Sequence, residues 1–241
     1  MKYIFIILSL LQMSFNLSAQ ADKDFFVNKK FYLGFTSGAN ATLQSRTNYP
    51  SSIPKLGYSA GVTALYPISQ KLFLTNSVLF TKERNSTKFQ LFASTSPDSY
   101  QLNVMTYSWA ELPLTLNYSF VNKGMFKIFF GTGISVARLL NAEQKTTVFI
   151  GSSKSSVTYL LYNSIHSWNF FPRLQTGLAI KLSDHDILSM TIFCQANARK
   201  LEKPVMLSPN SILDYNFSNG HRQLTVVGFD LQFATQLSKR N

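Results

Sequence analysis

The fold is decided by a stretch in which two kinds of residue alternate, Phe126–Leu140, which reads FKIFFGTGISVARLL. Successive side chains of an extended chain point to opposite sides, so a period of two predicts a β-strand with two different faces. One face of this stretch is apolar and consists of Phe126, Ile128, Phe130, Ile134 and Val136. The other face is mostly small or polar and consists of Lys127, Phe129, Gly131, Gly133, Ser135 and Ala137. The stretch therefore predicts a strand that separates an apolar environment from a polar one.

The same alternation recurs along the chain and predicts seven further strands. Each sets apolar residues against small or polar ones, and the least regular is the strand in which Asn76 interrupts the apolar face. The predicted segments are Phe31–Thr42, Gly57–Tyr66, Leu72–Glu83, Tyr107–Phe120, Trp168–Lys181, Ile187–Arg199 and Val227–Phe233. Together with Phe126–Leu140 they make eight strands, an even number, as a closed up-and-down bacterial barrel requires.

The connections between these strands alternate between short and long. Short connections lie near Pro67, at Val121–Gly124 and at Ser183–Asp186, and the other four are longer. Two of the long ones, Arg84–Asn103 and Asn141–Ile165, are predicted to be outward loops. This strict alternation is typical of outer-membrane barrels, whose periplasmic turns are tight and whose two termini lie on the periplasmic side.

Backbone chemistry explains why such strands would close into a barrel. Unsatisfied N–H and C=O groups are costly in hydrocarbon, so strands can cross lipid only when closure removes both sheet edges. A soluble β-sandwich or lipocalin-like barrel is the alternative, and it would place the apolar face inside. The face rich in Gly, Ser, Thr and Asn would fill a dry core poorly. The sequence therefore predicts an eight-stranded antiparallel up-and-down transmembrane β-barrel with short periplasmic turns and long outward loops.

Aromatic residues at the strand ends agree with a membrane environment. Such residues form girdles at the two membrane–water interfaces of outer-membrane barrels. Those expected near the short turns are Tyr66, Tyr118, Phe120 and Phe126, and those expected near the long loops are Trp168 and Phe170.

The N-terminal residues predict export to the outer membrane of a Gram-negative cell. Lys2 precedes a short apolar run, Tyr3–Leu11, which cannot span a bilayer as a helix, and an A-x-A pattern ends at Ala21. Positive charge, apolar run and small residues follow one another in the order of a signal peptide. We therefore expect a signal peptide over residues 1–21, cleaved after Ala21, and one barrel domain over residues 22–241.

One predicted strand carries a family resemblance. Residues 107–116 read YSWAELPLTL, and their E-x-P-L pattern at 111–114 resembles a strand of the Bacteroidetes outer-membrane β-barrel domain family, which includes PorT-like proteins. The strand with Gly131 and Gly133 after a short turn is similar too, as is the Ser-Ala-Gln-Ala ending at Ala21. The resemblance implies a barrel in the outer membrane, and PorT-like members imply a role in a protein-secretion apparatus.

Six charged residues fall on the predicted inward faces. A barrel of eight strands is just wide enough for side chains to fill it, so charges inside it should pair. We expect an interior plug of ion pairs, which would be a barrel-filling network, and the alternative is a path for a solute or a proton. The residues are Glu111, Lys127, Arg173, Lys181, Arg199 and Asp230.

The positive charge of the chain indicates which partners it could meet outside the barrel. The formal net charge is +12, which would favour lipopolysaccharide phosphates or an acidic protein, although solvated loop charge is the simpler interpretation. We expect contact with outer-membrane lipid and lipopolysaccharide, a protein partner at the long loops, and no nucleic acid, because no recognised module is present. The cations in or beside the long loops are Lys82, Arg84, Lys88, Lys145, Lys154, Lys200 and Lys203.

No residue pattern predicts catalysis, a cofactor or a metal. The three histidines share no ligand spacing, the single cysteine has no partner, and no G-x-S-x-G motif is present. We therefore expect a non-enzymatic structural or interaction barrel, with a narrow channel or a secretion-system component as the alternative. A third alternative is a lipid A-modifying enzyme that uses a rim Ser and His, for which His166 beside Ser167 or His221 near a loop serine are the candidates.

Overall fold

The computed structural model of the chain describes residues 25–26, 31–46, 53–90, 99–161, 163, 165–198, 201 and 222–237. No helix in these ranges is long and apolar enough to cross a membrane. Nine β-strands account for the regular structure of the described residues. They are β1 (Tyr32–Arg46), β2 (Ile53–Pro67), β3 (Leu72–Gln90), β4 (Tyr100–Lys123), β5 (Phe126–Ile150), β6 (Ser153–Leu160), β7 (Trp168–Lys181), β8 (Asp186–Ala196) and β9 (Arg222–Gln236).

Eight of these strands form a closed antiparallel ring. The order around the ring is β4, β3, β2, β1, β9, β8, β7 and β5, and pairing of β4 with β5 closes it. Neighbours in the ring are strands that follow one another in the chain once β6 is left aside. The exception is the contact between β1 and β9, so the ring is an up-and-down barrel. The predicted eight-stranded barrel is therefore confirmed. The additional strand β6 pairs with the outer part of β5 and is not a stave of the barrel.

The predicted long loops are largely strands, which corrects the sequence interpretation. The segment Arg84–Asn103 contains the end of β3 and the start of β4, and Asn141–Ile165 contains the end of β5 and all of β6. These strand extensions lie beyond the apolar band and carry polar residues on both faces, so their sequence has no apolar–polar contrast that would reveal strands. We call them the projecting sheet; it consists of residues 84–90, 100–106, 143–150 and 153–160.

The short turns lie together at one end of the barrel, as the sequence predicted. They span residues 68–71, 124–125 and 182–185, and the start of β1 and the end of β9 lie at the same end. Gly124 has a φ of 53°, a conformation that glycine adopts without steric cost, and this permits the tight turn between β4 and β5. Gly151, with a φ of 56°, does the same at the tip of the hairpin of β5 and β6. In outer-membrane barrels the end with the short turns is periplasmic.

The outer surface of the barrel is an apolar band, because the apolar face of each strand points outward. Its exposed side chains include Phe35, Val62, Val78, Phe80, Leu112, Leu114, Leu116, Phe130, Ile134, Leu174, Ile192, Phe229 and Leu231. The aromatic residues expected at its borders are exposed as well, and the Arg138 guanidinium lies 5.8 Å from the ring centroid of Trp168 at the border away from the short turns. A surface of this kind is stable only against hydrocarbon or another protein.

Two apolar clusters lie inside the barrel, one at each end. The lower cluster, near the short turns, consists of Phe25, Phe26, Tyr32, Leu65, Phe73, Phe129, Ala179, Ile187 and Ala234. The upper cluster, near the projecting sheet, consists of Met105, Tyr107, Trp109, Ala137, Leu139, Ala142, Leu161, Ile165, Phe171, Leu201 and Leu224. Between them the inward side chains are mainly polar and buried. The interior is therefore packed in three layers.

The apolar band leads to a test of which side of the sheet meets hydrocarbon. Leu116 lies midway along the exposed apolar face of β4, between Leu112 and Phe120. Leu116→Arg is expected to destabilise the barrel in phospholipid vesicles by about 2–4 kcal/mol, because a guanidinium near the bilayer midplane loses its hydration. The matched control is Ser156→Arg on β6, outside the band, with an expected effect below about 0.5 kcal/mol. Denaturant unfolding in vesicles measures both, and equal effects would contradict a lipid-facing apolar surface.

Candidate functional site

The middle layer of the interior is built around one buried ion pair. Arg173 of β7 and Asp230 of β9 are 3% and 2% exposed, and the guanidinium Nη2 lies 2.8 Å from Asp230 Oδ2. The Ser59 hydroxyl donates to the other carboxylate oxygen at 3.0 Å, and the Phe193 ring centroid lies 3.8 Å from the guanidinium carbon. The Arg173 side chain thus has its charge paired with a carboxylate and one planar face packed against a ring within the barrel.

Glu111 of β4 is buried beside this pair and is connected to it through an amide. Arg173 Nη1 donates to Gln195 Oε1 at 3.3 Å, and Gln195 Nε2 donates to Glu111 Oε1 at 3.0 Å. The amide of Gln195 therefore relays between a cation and a carboxylate that belong to different strands. The hydroxyls of Ser135 and Thr81 also donate to Glu111, at 2.6 Å and 2.8 Å. Glu111 and the three side chains that donate to it thus come from four different strands and meet at mid-depth.

This chain of hydrogen bonds crosses the lumen and connects most of the barrel wall. A second branch runs from Arg173 Nε to Gln175 at 3.2 Å, from Gln175 to Asn117 at 2.7 Å, and from Asn117 to Thr75 at 3.0 Å. The barrel strands that contribute to the network are β2, β3, β4, β5, β7, β8 and β9, through Ser59, Thr81, Glu111, Ser135, Arg173, Gln195 and Asp230 respectively. We call these residues, with Gln175, Asn117 and Thr75, the polar layer.

The other charged residues of the predicted interior set lie nearer the short turns or outside the described residues. The Lys127 ammonium donates to the Gln70 carbonyl and lies 3.8 Å from the ring centroid of Phe26. Lys181 pairs with Asp184 in the turn between β7 and β8 at 2.8 Å. Arg199 lies outside the described residues. The structure thus joins Arg173, Asp230 and Glu111 in one network and holds Lys127 and Lys181 below it.

Residues ahead of β1 form part of the lower cluster. Phe25 and Phe26 are 1% and 2% exposed and pack edge to face at 5.1 Å between ring centroids. Gln70, in the turn after β2, holds this segment with both ends of its side-chain amide, since Phe26 N donates to its Oε1 at 3.4 Å and its Nε2 donates to Phe26 O at 3.0 Å. The segment therefore covers the mouth of the barrel at the end with the short turns.

The upper cluster covers the polar layer from the other side. The Trp109 ring packs edge to face against Phe171 at 6.0 Å, and its Nε1 donates to Glu83 Oε2 at 3.1 Å. Both Trp109 and Glu83 are buried. The sequence interpretation did not assign a role to Glu83, because it ended β3 at this residue. The signal that was available is its position on the inward face, two residues beyond Thr81.

The polar layer contains a small cavity. A cavity of about 10 Å³ lies beside the ion pair and is lined by residues that include Thr36, Thr75, Gln175 and Asp230. A space of this size holds one water molecule at most. The Thr36 hydroxyl, which is buried without a hydrogen-bond partner, faces the same group of residues. This cavity can therefore accommodate water but not an organic substrate.

The described residues contain no arrangement that resembles a metal centre. No three His, Cys, Asp or Glu side chains among them are grouped so that they could hold a metal ion. Of the histidines, His185 shares a hydrogen bond of 2.8 Å with Gln236 near the short turns, and His221 lies outside the described residues. His166 lies in the connection before β7 and donates its backbone N–H to Leu201 O at 2.9 Å.

Comparisons relate the chain to known proteins. The family model described as "Outer membrane protein beta-barrel domain" matches residues 14–185. Among solved structures, Neisserial surface protein A is 13% identical with a TM-score of 0.42, and the match covers 86% of this chain and 97% of that one. The outer membrane protein OprG from Pseudomonas aeruginosa is 10% identical with a TM-score of 0.42, covering 89% and 99%. The outer membrane protease OmpT from Escherichia coli is 6% identical with a TM-score of 0.43, covering 91% and 100%. A search of curated proteins found no match.

The buried ion pair leads to a prediction about stability. Arg173→Ala leaves the Asp230 carboxylate buried without its cation, so the barrel is expected to lose about 3–5 kcal/mol of unfolding free energy. The matched control is Arg138→Ala on the outer surface, which removes only an exposed contact with Trp168 and is expected to cost about 1 kcal/mol or less. Denaturant unfolding in detergent micelles measures both variants. An Arg173→Ala barrel as stable as the control would show that the polar layer does not hold the strands together.

Proposed function

Because the chain belongs to the outer membrane protein β-barrel domain family, we propose that it is a closed, non-enzymatic barrel whose function lies in contacts made outside the membrane. Membership of this family places the chain in the outer membrane. Within that location the barrel acts as a rigid, lipid-embedded base, and the projecting sheet acts as the part that meets other molecules. Binding residues are often carried by connecting segments that a rigid scaffold positions.

The observation that carries this proposal is the packing of the lumen. A solute would have to displace the lower cluster, break the buried pair of Arg173 and Asp230, and displace the upper cluster. Removing one partner of a buried ion pair costs about 3–5 kcal/mol in other proteins, and two apolar layers add to that barrier. These layers support a barrel that stays closed, and they disfavour the alternative of a narrow channel.

The charges of the projecting sheet support an anionic partner at the cell surface. Arg84, Lys88, Lys145 and Lys154 are all exposed and lie at alternate positions that share one face of this sheet. The only acid on that face among the described residues is Glu143, which accepts a hydrogen bond of 2.6 Å from Asn141. Phosphates of lipopolysaccharide and acidic protein segments are the partners that this charge favours.

The N-terminal segment and the E-x-P-L strand support the finer parts of the proposal. We infer that residues 1–21 are removed as a signal peptide, so that the mature chain begins a few residues before the Phe25 and Phe26 pair. A short mature N-terminus suits this arrangement, because the pair occupies the barrel mouth directly ahead of β1. The resemblance of residues 111–114 to PorT-like members of a Bacteroidetes family favours an interaction role within a larger assembly, such as a secretion apparatus.

Processing at Ala21 can be tested on the protein taken from its membrane. Intact-mass measurement and N-terminal sequencing of the protein purified from outer membranes should give a chain that begins at Asp22. The reason is the A-x-A pattern that ends at Ala21, which signal peptidase accepts. Ala21→Tyr should block cleavage and leave the precursor in the inner membrane, whereas Gln20→Ala should be processed normally. A mature chain that retains residues 1–21 would contradict the prediction.

The closed lumen predicts the absence of conductance. The purified barrel in planar lipid bilayers is expected to show no stepwise conductance at voltages at which a general porin conducts. A variant with both Phe25→Ala and Phe26→Ala loses the lower plug but keeps the polar layer and the upper cluster, and it should also stay closed. Discrete steps from the unmodified chain would favour the channel alternative. A mass change of lipid A on expression would favour the enzyme alternative.

A further inference from the structure

Among the described residues, one edge of β6 has no partner strand, and this free edge lies outside the membrane. The partner of β6 among the described residues is the end of β5, with continuous register from Glu143 and Leu160 to Ile150 and Ser153. No described strand pairs with its other edge. All eight of its residues are exposed. About every second residue of β6 therefore presents its backbone N–H and C=O groups to water at this edge.

This edge lacks the features by which proteins usually block further pairing. Edge strands are commonly kept short, or carry a proline, a bulge or several charges. β6 contains no proline, its register with β5 has no shift, and Lys154 is its single charge. Apolar side chains are exposed on both of its faces, Val157 and Tyr159 on one and Leu160 on the other. An unblocked edge with exposed apolar residues is suited to the addition of another strand.

A second copy of this chain in the same membrane fits the edge poorly. β5 runs away from the short-turn end, so β6 runs back toward the membrane, and it does so in every copy. Two copies related by rotation about the membrane normal would bring two β6 edges together as parallel strands at equal height. Equal residues would then face each other, N–H against N–H, whereas a parallel ladder needs a stagger of one residue. The symmetry of the membrane thus favours a segment of a different protein.

The charges around the edge indicate the chemistry of that segment. Lys154 lies on β6 itself, and Lys145 lies on β5 on the same face, where its neighbour across the strands is Thr158. A strand added to β6 would place one of its side chains directly opposite Lys154, and its side chain opposite Thr158 would lie two strands away from Lys145 on the same face. Acidic residues at those positions would be attracted, and basic ones would be repelled. Apolar residues would pack opposite Val157 and Leu160.

We propose that the free edge of β6 is a docking site for an extended, acidic segment of another protein, which adds to the projecting sheet as an antiparallel strand. This inference rests on the proposed function, because it names the partner chemistry of an interaction barrel. Backbone hydrogen bonds would supply affinity, and Lys154 would select acidic segments over basic ones. The added strand would run away from the membrane, since it is antiparallel to β6.

The test uses the full barrel in lipid nanodiscs and two synthetic peptides as long as β6. One peptide alternates threonine and valine and carries glutamates opposite Lys154, and the other has the same composition with lysine in place of glutamate. Hydrogen exchange followed by mass spectrometry should show protection within residues 153–160 by the acidic peptide alone, at about every second amide. Saturable binding without this protection, or equal protection by the basic peptide, would overturn the proposal.

Variants separate the edge from the rest of the basic face. Lys154→Glu should weaken binding of the acidic peptide roughly threefold or more, because it replaces an attraction by a repulsion. Lys88→Glu is the matched control, since Lys88 lies on the same face but on β3, and it should leave binding unchanged. Ser155→Pro and Ser156→Pro form a second pair, because one of the two N–H groups points to β5 and the other points to the free edge. The variant that keeps the β5–β6 hairpin protected should abolish peptide binding, and retained binding would overturn the proposal.

Two further outcomes would assign the edge to another occupant. Protection of residues 153–160 that rises with protein concentration and needs no peptide would mean that a second copy covers the edge. Protection by lipopolysaccharide-containing nanodiscs, and none by peptide, would mean that a glycolipid covers it. Each of these results overturns the docking of a protein segment. Neither result bears on whether the barrel is closed, which the conductance measurement tests separately.

Discussion

The whole architecture depends on the rule that backbone N–H and C=O groups must all be paired where hydrocarbon surrounds the chain. The pairing of β4 with β5 satisfies this rule, because it removes the last two edges of the eight-stranded ring. Once the ring is closed, the apolar faces can point outward without a second layer of protein. The direction of every side chain in the barrel follows from that choice, and so does the enclosure of polar and charged residues in a space too narrow for bulk water.

A narrow polar interior has to satisfy its own groups, and the amides accomplish this. Arg173 has one carboxylate partner, Asp230, and the Glu111 carboxylate is reached through Gln195 rather than through a cation. An amide can accept from the guanidinium and donate to the carboxylate at the same time, so one Gln connects two charges of opposite sign. Such a network is directional, and it fixes which strands face each other across the lumen. With apolar clusters at both ends, it is also shielded from water.

The alternation in the sequence predicted most of the barrel strands. It predicted few of the contacts inside the barrel and few of the strands beyond it. Alternation in Phe126–Leu140 predicted a strand because lipid and lumen make contrasting demands on its two faces. The same rule failed for Asn141–Ile165, because polar residues occur on both faces of that segment and give no contrast. Gln195 lies on the inward face of β8, but its role as a relay depends on the register between β7, β8 and β4, which no single segment encodes. Phe25 and Phe26 precede the first strand, and only their packing against the barrel mouth identifies them as a plug.

The barrel has no open sheet edge, whereas β6 has one, and the difference follows from the solvent around each part. Within the apolar band an open edge would leave polar groups unpaired in hydrocarbon, so the ring is complete. Beyond the band, water hydrogen-bonds the free groups of β6, so an open edge carries no such penalty there. Water is also a partner that another strand can displace, since the exchange trades hydrogen bonds of similar strength and buries apolar side chains such as Val157 and Leu160. The same backbone chemistry that closes the barrel in the membrane thus leaves β6 able to bind outside it.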